Sequence, residues 1–157
     1  MRKIKSLKSL KRELAKLRKQ GKKIVFTNGC FDILHYGHAK YLQDSKAKGD
    51  ILVVAVNSDS SVRKIKGKNR PIVDEANRLK LLASLESIDY LTLFKETTPL
   101  KIIKAVKPDI LIKGADWKKN KIIGSDLVEA YGGKVSTIKL VKGLSTTNLI
   151  KKIAKAK

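Results

Sequence analysis

The sequence predicts an α/β fold: one doubly wound parallel sheet of five strands, with a helix before it. Three observations carry this. Short apolar runs alternate with segments of helical period along the whole chain, which implies βαβ units joined by right-handed crossovers. The run ILVVAV is apolar without alternation, as a strand covered on both faces must be. A length of 157 residues, 42% of them hydrophobic, is enough for one domain with a real core.

Residues 5–19 place Leu7, Leu10, Leu14 and Leu17 at steps of three and four, an amphipathic helix that Gly21 would end. Ile24–Phe26 is a strand closed by Asn28 and Gly29. A helix from about Gly37 to Lys48 stops at Gly49, and residues 51–59 form the second strand. The polar stretch 60–71 begins with a helical turn and ends as a loop. A helix over about Glu75–Glu86 leads to the strand DYLTLF. Thr98-Pro99 starts a helix through Ala105 or Val106, with proline in its first turn. DILIKG, residues 109–114, is the fourth strand, and residues 125–131 are helical until Gly132-Gly133. KVSTIKL is the fifth strand, and Thr146–Ala156 the last helix.

In a doubly wound sheet ligands bind at the carboxyl ends of the strands. The candidate site is therefore Thr27–Phe31, Asn57–Asp59, Lys113–Asp116 and Leu140–Thr147.

The charge is 36 Lys and Arg against 14 Asp and Glu, a formal net +22. Many lysines sit between apolar positions at helical spacing, as a solvated face requires. Nucleic-acid binding is a second use of such charge, and a basic cleft for a small phosphorylated substrate a third. Aromatic residues are only 5% and form no basic stripe on which bases could stack; no specific nucleic-acid partner is expected. No apolar run approaches a membrane span, and no apolar stretch follows the basic N-terminus as in a secretory signal. A lone cysteine, Cys30, excludes an intrachain disulfide framework. A small packing residue is its default role, since no paired base is signalled. These features predict a cytoplasmic protein.

Both histidines lie in one tetrapeptide, His35-Tyr36-Gly37-His38, between the first strand and the next helix. A helix N-terminus favours an anion, and Gly37 lets a phosphate approach the backbone. Two imidazoles one turn apart can donate to charge that develops during phosphoryl or nucleotidyl transfer. Two other uses stand beside this one: capping the helix, or ligating a metal. A metal would want more ligands, and Asp32 is the nearest.

TNGCFDILHYGH, residues 27–38, resembles the nucleotide-binding signature of the HxGH nucleotidyltransferase superfamily. With VAVNSDSSVRKIKGKNRPI (54–72), NRLKLLASLESIDY (77–90), DILIKGADW (109–117) and GLSTTNLI (143–150), the chain is similar to the adenylyltransferases that make ADP-heptose for lipopolysaccharide cores. Those enzymes are often the C-terminal half of a bifunctional kinase–adenylyltransferase. Relatives that make CDP-glycerol or FAD share HxGH but typically begin the motif with GTFD.

The resemblance implies a Rossmann-like nucleotidyltransferase domain over residues 21–157, after an N-terminal helix in residues 1–20. It implies transfer of AMP from ATP to D-glycero-β-D-manno-heptose 1-phosphate, with Mg²⁺ held mainly by the ATP phosphates. Cytidylyl transfer to glycerol 3-phosphate is the alternative within the superfamily. Partners implied are ATP, a sugar 1-phosphate, a second copy of the chain, and a separate sugar kinase, since no kinase segment lies within the 157 residues.

Thr27, Asn28, Gly29 and Phe31 would contact phosphates from the first strand-end loop. Asp32 either orients this loop or acts as a base; a sugar phosphate already carries an anionic nucleophile, which favours orientation. Lys66 would clamp the phosphates from the far side, with Lys64 and Lys68 as neighbours and Arg70 adding a fixed charge; a solvated basic loop is the other reading. Arg78 either reaches the site or pairs on the surface with Asp74 or Glu75. Lys113, Gly114 and Asp116 follow a strand directly, with Asp116 placed to accept from ribose hydroxyls. Trp117 packs near the base or serves as a core or lid residue. Ser145, Thr146 and Thr147 would form a second anion site at a helix N-terminus, although capping alone accounts for one of them.

Overall fold

The structure is a computed structural model and describes residues 2–156. Five parallel strands, β1 (Ile24–Gly29), β2 (Ile51–Asn57), β3 (Tyr90–Phe94), β4 (Ile110–Gly114) and β5 (Lys134–Ile138), form one sheet in the order β3-β2-β1-β4-β5. Among the described residues, α1 (Leu7–Lys19) precedes the first strand, α2 (Tyr36–Lys46), α3 (Asp59–Lys66), α4 (Glu75–Ala83), α5 (Leu100–Val106) and α6 (Ser125–Ala130) lie in the connections, and α7 (Thr146–Lys155) follows the last strand. The order reverses between β1 and β4, so the first and fourth strand-end loops diverge and leave a crevice there.

The period of two sorts the strand side chains between two cores. Ile24, Phe26, Val53, Ala55 and Leu111 meet Leu10 and Leu14 of α1, Ile103 and Val106 of α5, and Val128 of α6. Val25, Leu52, Val54, Val56 and Ile112 meet Tyr41 and Leu42 of α2 and Leu82 of α4. Residues 52–56 are fully buried, which is why that run shows no alternation. Each such aliphatic side chain contributes about 1.5–3 kcal/mol relative to an exposed one.

Local chemistry moves several boundaries. β2 stops at Asn57 because Ser58 caps α3, its side chain accepting from the Ser61 N–H. The expected single turn after it is a helix of 8 residues. α4 ends at Ala83 and α2 at Lys46, both short of expectation. β1 runs on through Gly29. α5 ends at Val106, as expected, and Lys107 after it adopts φ 49° without being glycine.

Within the expected N-terminal segment 1–20, the described residues share a core with the rest of the chain, since Leu10 and Leu14 are wholly buried. Before α1, Ile4 forms a parallel bridge to Leu91, and Lys5 N–H donates to the Leu91 carbonyl at 2.8 Å. That segment covers the β3 edge of the sheet, which would otherwise present unpaired backbone groups.

Candidate active site

The carboxyl ends of β1, β2 and β4 and the N-termini of α2 and α7 surround a cavity of about 510 Å³. The volume suits a nucleotide-sized ligand. Of the residues singled out in the sequence, Asn28, Gly29, Phe31, His35, Gly37, His38, Lys66, Lys113, Gly114, Asp116, Ser145, Thr146 and Thr147 all line it.

His35 occupies the N-cap of α2 with extended backbone, yet its side chain makes no capping hydrogen bond. Its ring stacks on His38 at 3.9 Å between centroids. Both ring nitrogens of His35, and Nδ1 of His38, are buried without a hydrogen-bond partner among the described residues, as is the Asn28 Oδ1. Buried polar atoms ordinarily have partners; here they share one cavity. Burial, with the neighbouring His35 charge, pushes the His38 imidazole down to about 4, and burial lowers His35 as well. Both rings are therefore neutral near pH 7, each with one N–H to donate. Among the described residues no three His, Cys, Asp or Glu side chains are grouped to hold a metal.

Gly37 is required by space: a Cβ there would lie 2.9 Å from the His35 ring and 3.4 Å from Leu144 Cβ. Two lysines line the same cavity as the imidazoles. Lys66 ends α3, followed by Gly67 at φ 99°. Lys113 Nζ donates to the Asn28 carbonyl at 3.0 Å and lies 6.0 Å from the Trp117 ring centroid. Burial lowers the Lys113 ammonium to about 8. At α7, Ser145 is consumed as the cap, accepting from Asn148 N–H at 3.1 Å, whereas Thr146 and Thr147 line the cavity beside it.

Two expected contact residues lie behind the cavity. Thr27 is fully buried, its hydroxyl 2.7 Å from the Tyr41 hydroxyl, and so ties β1 to α2. Arg78 is 1% exposed and is neither a cavity residue nor a surface partner of Asp74 or Glu75. Asp74 instead caps α4, and Glu75 accepts the Asp59 N–H. The Arg78 guanidinium donates to the Cys30, Asn57 and Val73 carbonyls and, at 2.8 Å, to the Asp59 carboxylate. It fastens the ends of β1 and β2 to each other. Asp32 orients the loop: it accepts from Arg70, Ile72 and Val73.

The lining also includes Ile65, Thr97, Pro99 and Ile123, which sequence reasoning missed. Thr97 and Pro99 follow the end of β3 and were findable by the rule that located the other loops. Ile123 carries no local signal.

The cytidylyltransferase-like family model matches residues 26–153. The chain belongs to the cytidylyltransferase-like family. It is 52% identical over 154 residues to the bifunctional protein HldE of Geobacter metallireducens, covering 98% of this chain and 31% of that protein. The chain thus spans about a third of the length of the curated relatives it matches. A solved lipopolysaccharide core biosynthesis protein from Thermoplasma volcanium is 39% identical, covers 78% of this chain and 98% of its own, and superposes with a TM-score of 0.63. A pantothenate synthetase from Thermus thermophilus shares the fold at TM-score 0.68 with 15% identity, over 99% of this chain and 71% of its own. The resemblance carried by TNGCFDILHYGH is borne out as family membership. No helix among the described residues is long and apolar enough to cross a membrane.

Proposed function

We propose that this cytidylyltransferase-like chain transfers AMP from ATP to D-glycero-β-D-manno-heptose 1-phosphate, giving ADP-heptose and pyrophosphate for lipopolysaccharide core synthesis. The observation that carries the chemistry is the stacked, neutral pair His35 and His38, with nitrogens that have no partner among the described residues, in a cavity that Lys66 and Lys113 also line. The adenylyl donor and the heptose acceptor rest on the sequence resemblance and on the similarity to bifunctional HldE proteins.

A phosphate oxygen of the sugar phosphate attacks the α-phosphorus of ATP. The new O–P bond forms in line with the breaking bond to the β-phosphate oxygen, and pyrophosphate leaves. The nucleophile is already ionised, so the residues position reactants and neutralise charge. His35 and His38 donate N–H bonds to the α- and β-phosphate oxygens as charge grows there. Lys66 covers the phosphates from the other side. Thr146 and Thr147, at the N-terminus of α7, receive a second anionic group.

The carboxylates fit a metal carried by substrate. Asp32 is taken up by three donors, which leaves Asp116 as the carboxylate facing the cavity. Mg²⁺ bound to the triphosphate would add charge neutralisation and keep most of its waters.

The kinase that makes the sugar 1-phosphate acts outside these 157 residues, and the chain works as a homodimer in this reading. A pyrophosphate-release assay with four nucleoside triphosphates against sugar and alcohol phosphates tests the assignment. Turnover only with ATP and a heptose 1-phosphate is expected. Turnover with CTP and glycerol 3-phosphate would transfer the chain to the cytidylyl alternative.

A further inference from the structure

His38 lacks what usually orients a working histidine. The second ring nitrogen ordinarily donates to a carboxylate or carbonyl, which fixes tautomer and angle. Here Nδ1 has no such partner among the described residues. Two aromatic contacts bear on the ring. One is the His35 ring, stacked at 3.9 Å with 26° between planes. The other is Phe31, whose ring meets His38 in a T-shaped arrangement at 5.5 Å and 64°.

Phe31 reaches that position through an uncommon backbone. Its φ is 48°, in the left-handed region that aromatic residues rarely enter. The ring lies across Gly29, where a Cβ would come 3.0 Å from Phe31 Cε2. Only 6% of Phe31 is exposed. A non-glycine residue keeps such a conformation when its surroundings require it, and such residues gather at functional sites. The requirement visible at this position is the placement of the ring between Gly29 and His38.

We propose that Phe31 is the positioning residue for His38, replacing by aromatic packing the hydrogen bond that the imidazole lacks. Its ring excludes water from one side of His38, keeps the imidazole neutral, and fixes the direction of the N–H aimed into the cavity. Phe31 thus acts through His38 and not as a phosphate contact. The proposal rests on the nucleotidyl-transfer reading of the same cavity. The other titratable groups lining that cavity are His35, Cys30, Asp32, Tyr41, Lys66, Arg70, Lys113 and Asp116.

The chain holds only 2 histidines, so proton NMR of the free protein resolves both imidazoles. The wild-type His38 midpoint is expected near 4. Phe31→Leu keeps apolar volume and removes the ring. It should raise that midpoint by about one unit or more toward the ordinary value. It should also lower kcat about tenfold or more, with the KM for ATP changed less than about threefold. Phe31→Tyr keeps the ring and should restore both. Gly29→Ala pushes on the ring from the opposite side and should reproduce both defects, which keeps the test alive if Phe31→Leu does not fold. A folded variant with lowered kcat and an unmoved His38 midpoint makes Phe31 merely structural and overturns the proposal. So does a moved midpoint with wild-type kcat. If the wild type shows no nucleotidyl transfer at all, the functional reading fails, and the midpoint alone decides whether Phe31 controls the imidazole.

Discussion

The Asp32 carboxylate accepts the Arg70 Nε–H at 2.5 Å, and the Asp32 side chain is only 1% exposed. It also accepts the Ile72 N–H at 2.9 Å and the Val73 N–H at 2.8 Å. One carboxylate therefore fastens the far end of the loop that begins after Lys66 to the segment leading into the histidines. Burial alone would raise the Asp32 carboxyl. The Val73 and Ile72 N–H bonds and the Arg70 charge outweigh it and hold the group below its ordinary value.

Asp32→Asn should therefore loosen residues 67–73 without removing a catalytic base. Loss of a buried charge-assisted acceptor should lower stability by about 1–3 kcal/mol, read from urea unfolding at pH 7. Because the folded-state group is depressed, its contribution is present above about pH 4 and is lost as the pH falls through the lower folded value. The gap between wild type and variant should narrow there. An unchanged urea midpoint at pH 7 would remove Asp32 from this role.

Arg78→Lys tests whether geometry or charge matters behind the site. The planar guanidinium serves the Cys30, Asn57 and Val73 carbonyls and the Asp59 carboxylate together, which a single ammonium on a flexible stem cannot reproduce. Unfolding experiments should show a loss of about 2–4 kcal/mol, since each buried acceptor left without its donor costs about 1–3 kcal/mol. Lysine matching wild type would mean that charge alone suffices.

Lys66→Ala and Lys19→Ala each remove one positive charge, but only Lys66 lines the cavity; Lys19 is exposed on α1. Steady-state kinetics should show kcat lowered about 10²-fold for the first and unchanged for the second. ATP should also slow tryptic cleavage between residues 63 and 70, because closure over the triphosphate shields the loop. Equal activity in the two variants, with no protection, would make the loop solvated surface.

His38 sets a pH dependence of its own. Its folded value near 4 lies below the 6.5 of a free imidazole, so the unfolded chain binds a proton that the folded chain refuses. Stability should consequently fall as the pH drops from about 6.5 to 4. His38→Gln should flatten that slope in urea titrations across the window, while lowering kcat about 10²-fold or more. A slope unchanged by the substitution would show that folding leaves the proton affinity of His38 as it is in the unfolded chain.

Most of the site was legible because its signals are local. HYGH, the strand-end glycines and STT sit at positions where a parallel sheet must open, and the alternation of elements declares the sheet. Strand ends and helix caps drifted by a few residues where one side chain decided the matter, as Ser58 did when it ended β2 and began α3. The motif resemblance makes Thr27 a contact and Arg78 either a contact or a surface partner, and both lie behind the cavity; the sequence has no means of showing which way a buried side chain turns.

What the sequence determined by itself is the alternation of apolar runs and helical periods, the strand-end chemistry and the family. Those depend on neighbours within a few residues. The tertiary structure decided the rest, because it brings together groups far apart in the chain. It set Asp32 against Arg70 across 38 residues and Arg78 against Cys30 across 48. It left three imidazole nitrogens without a partner among the described residues, in a shared cavity, and it turned the Phe31 backbone left-handed so that its ring meets His38. Burial and hydrogen-bond geometry are properties of the packed chain, and they fixed which of the motif residues face the cavity and which hold it open.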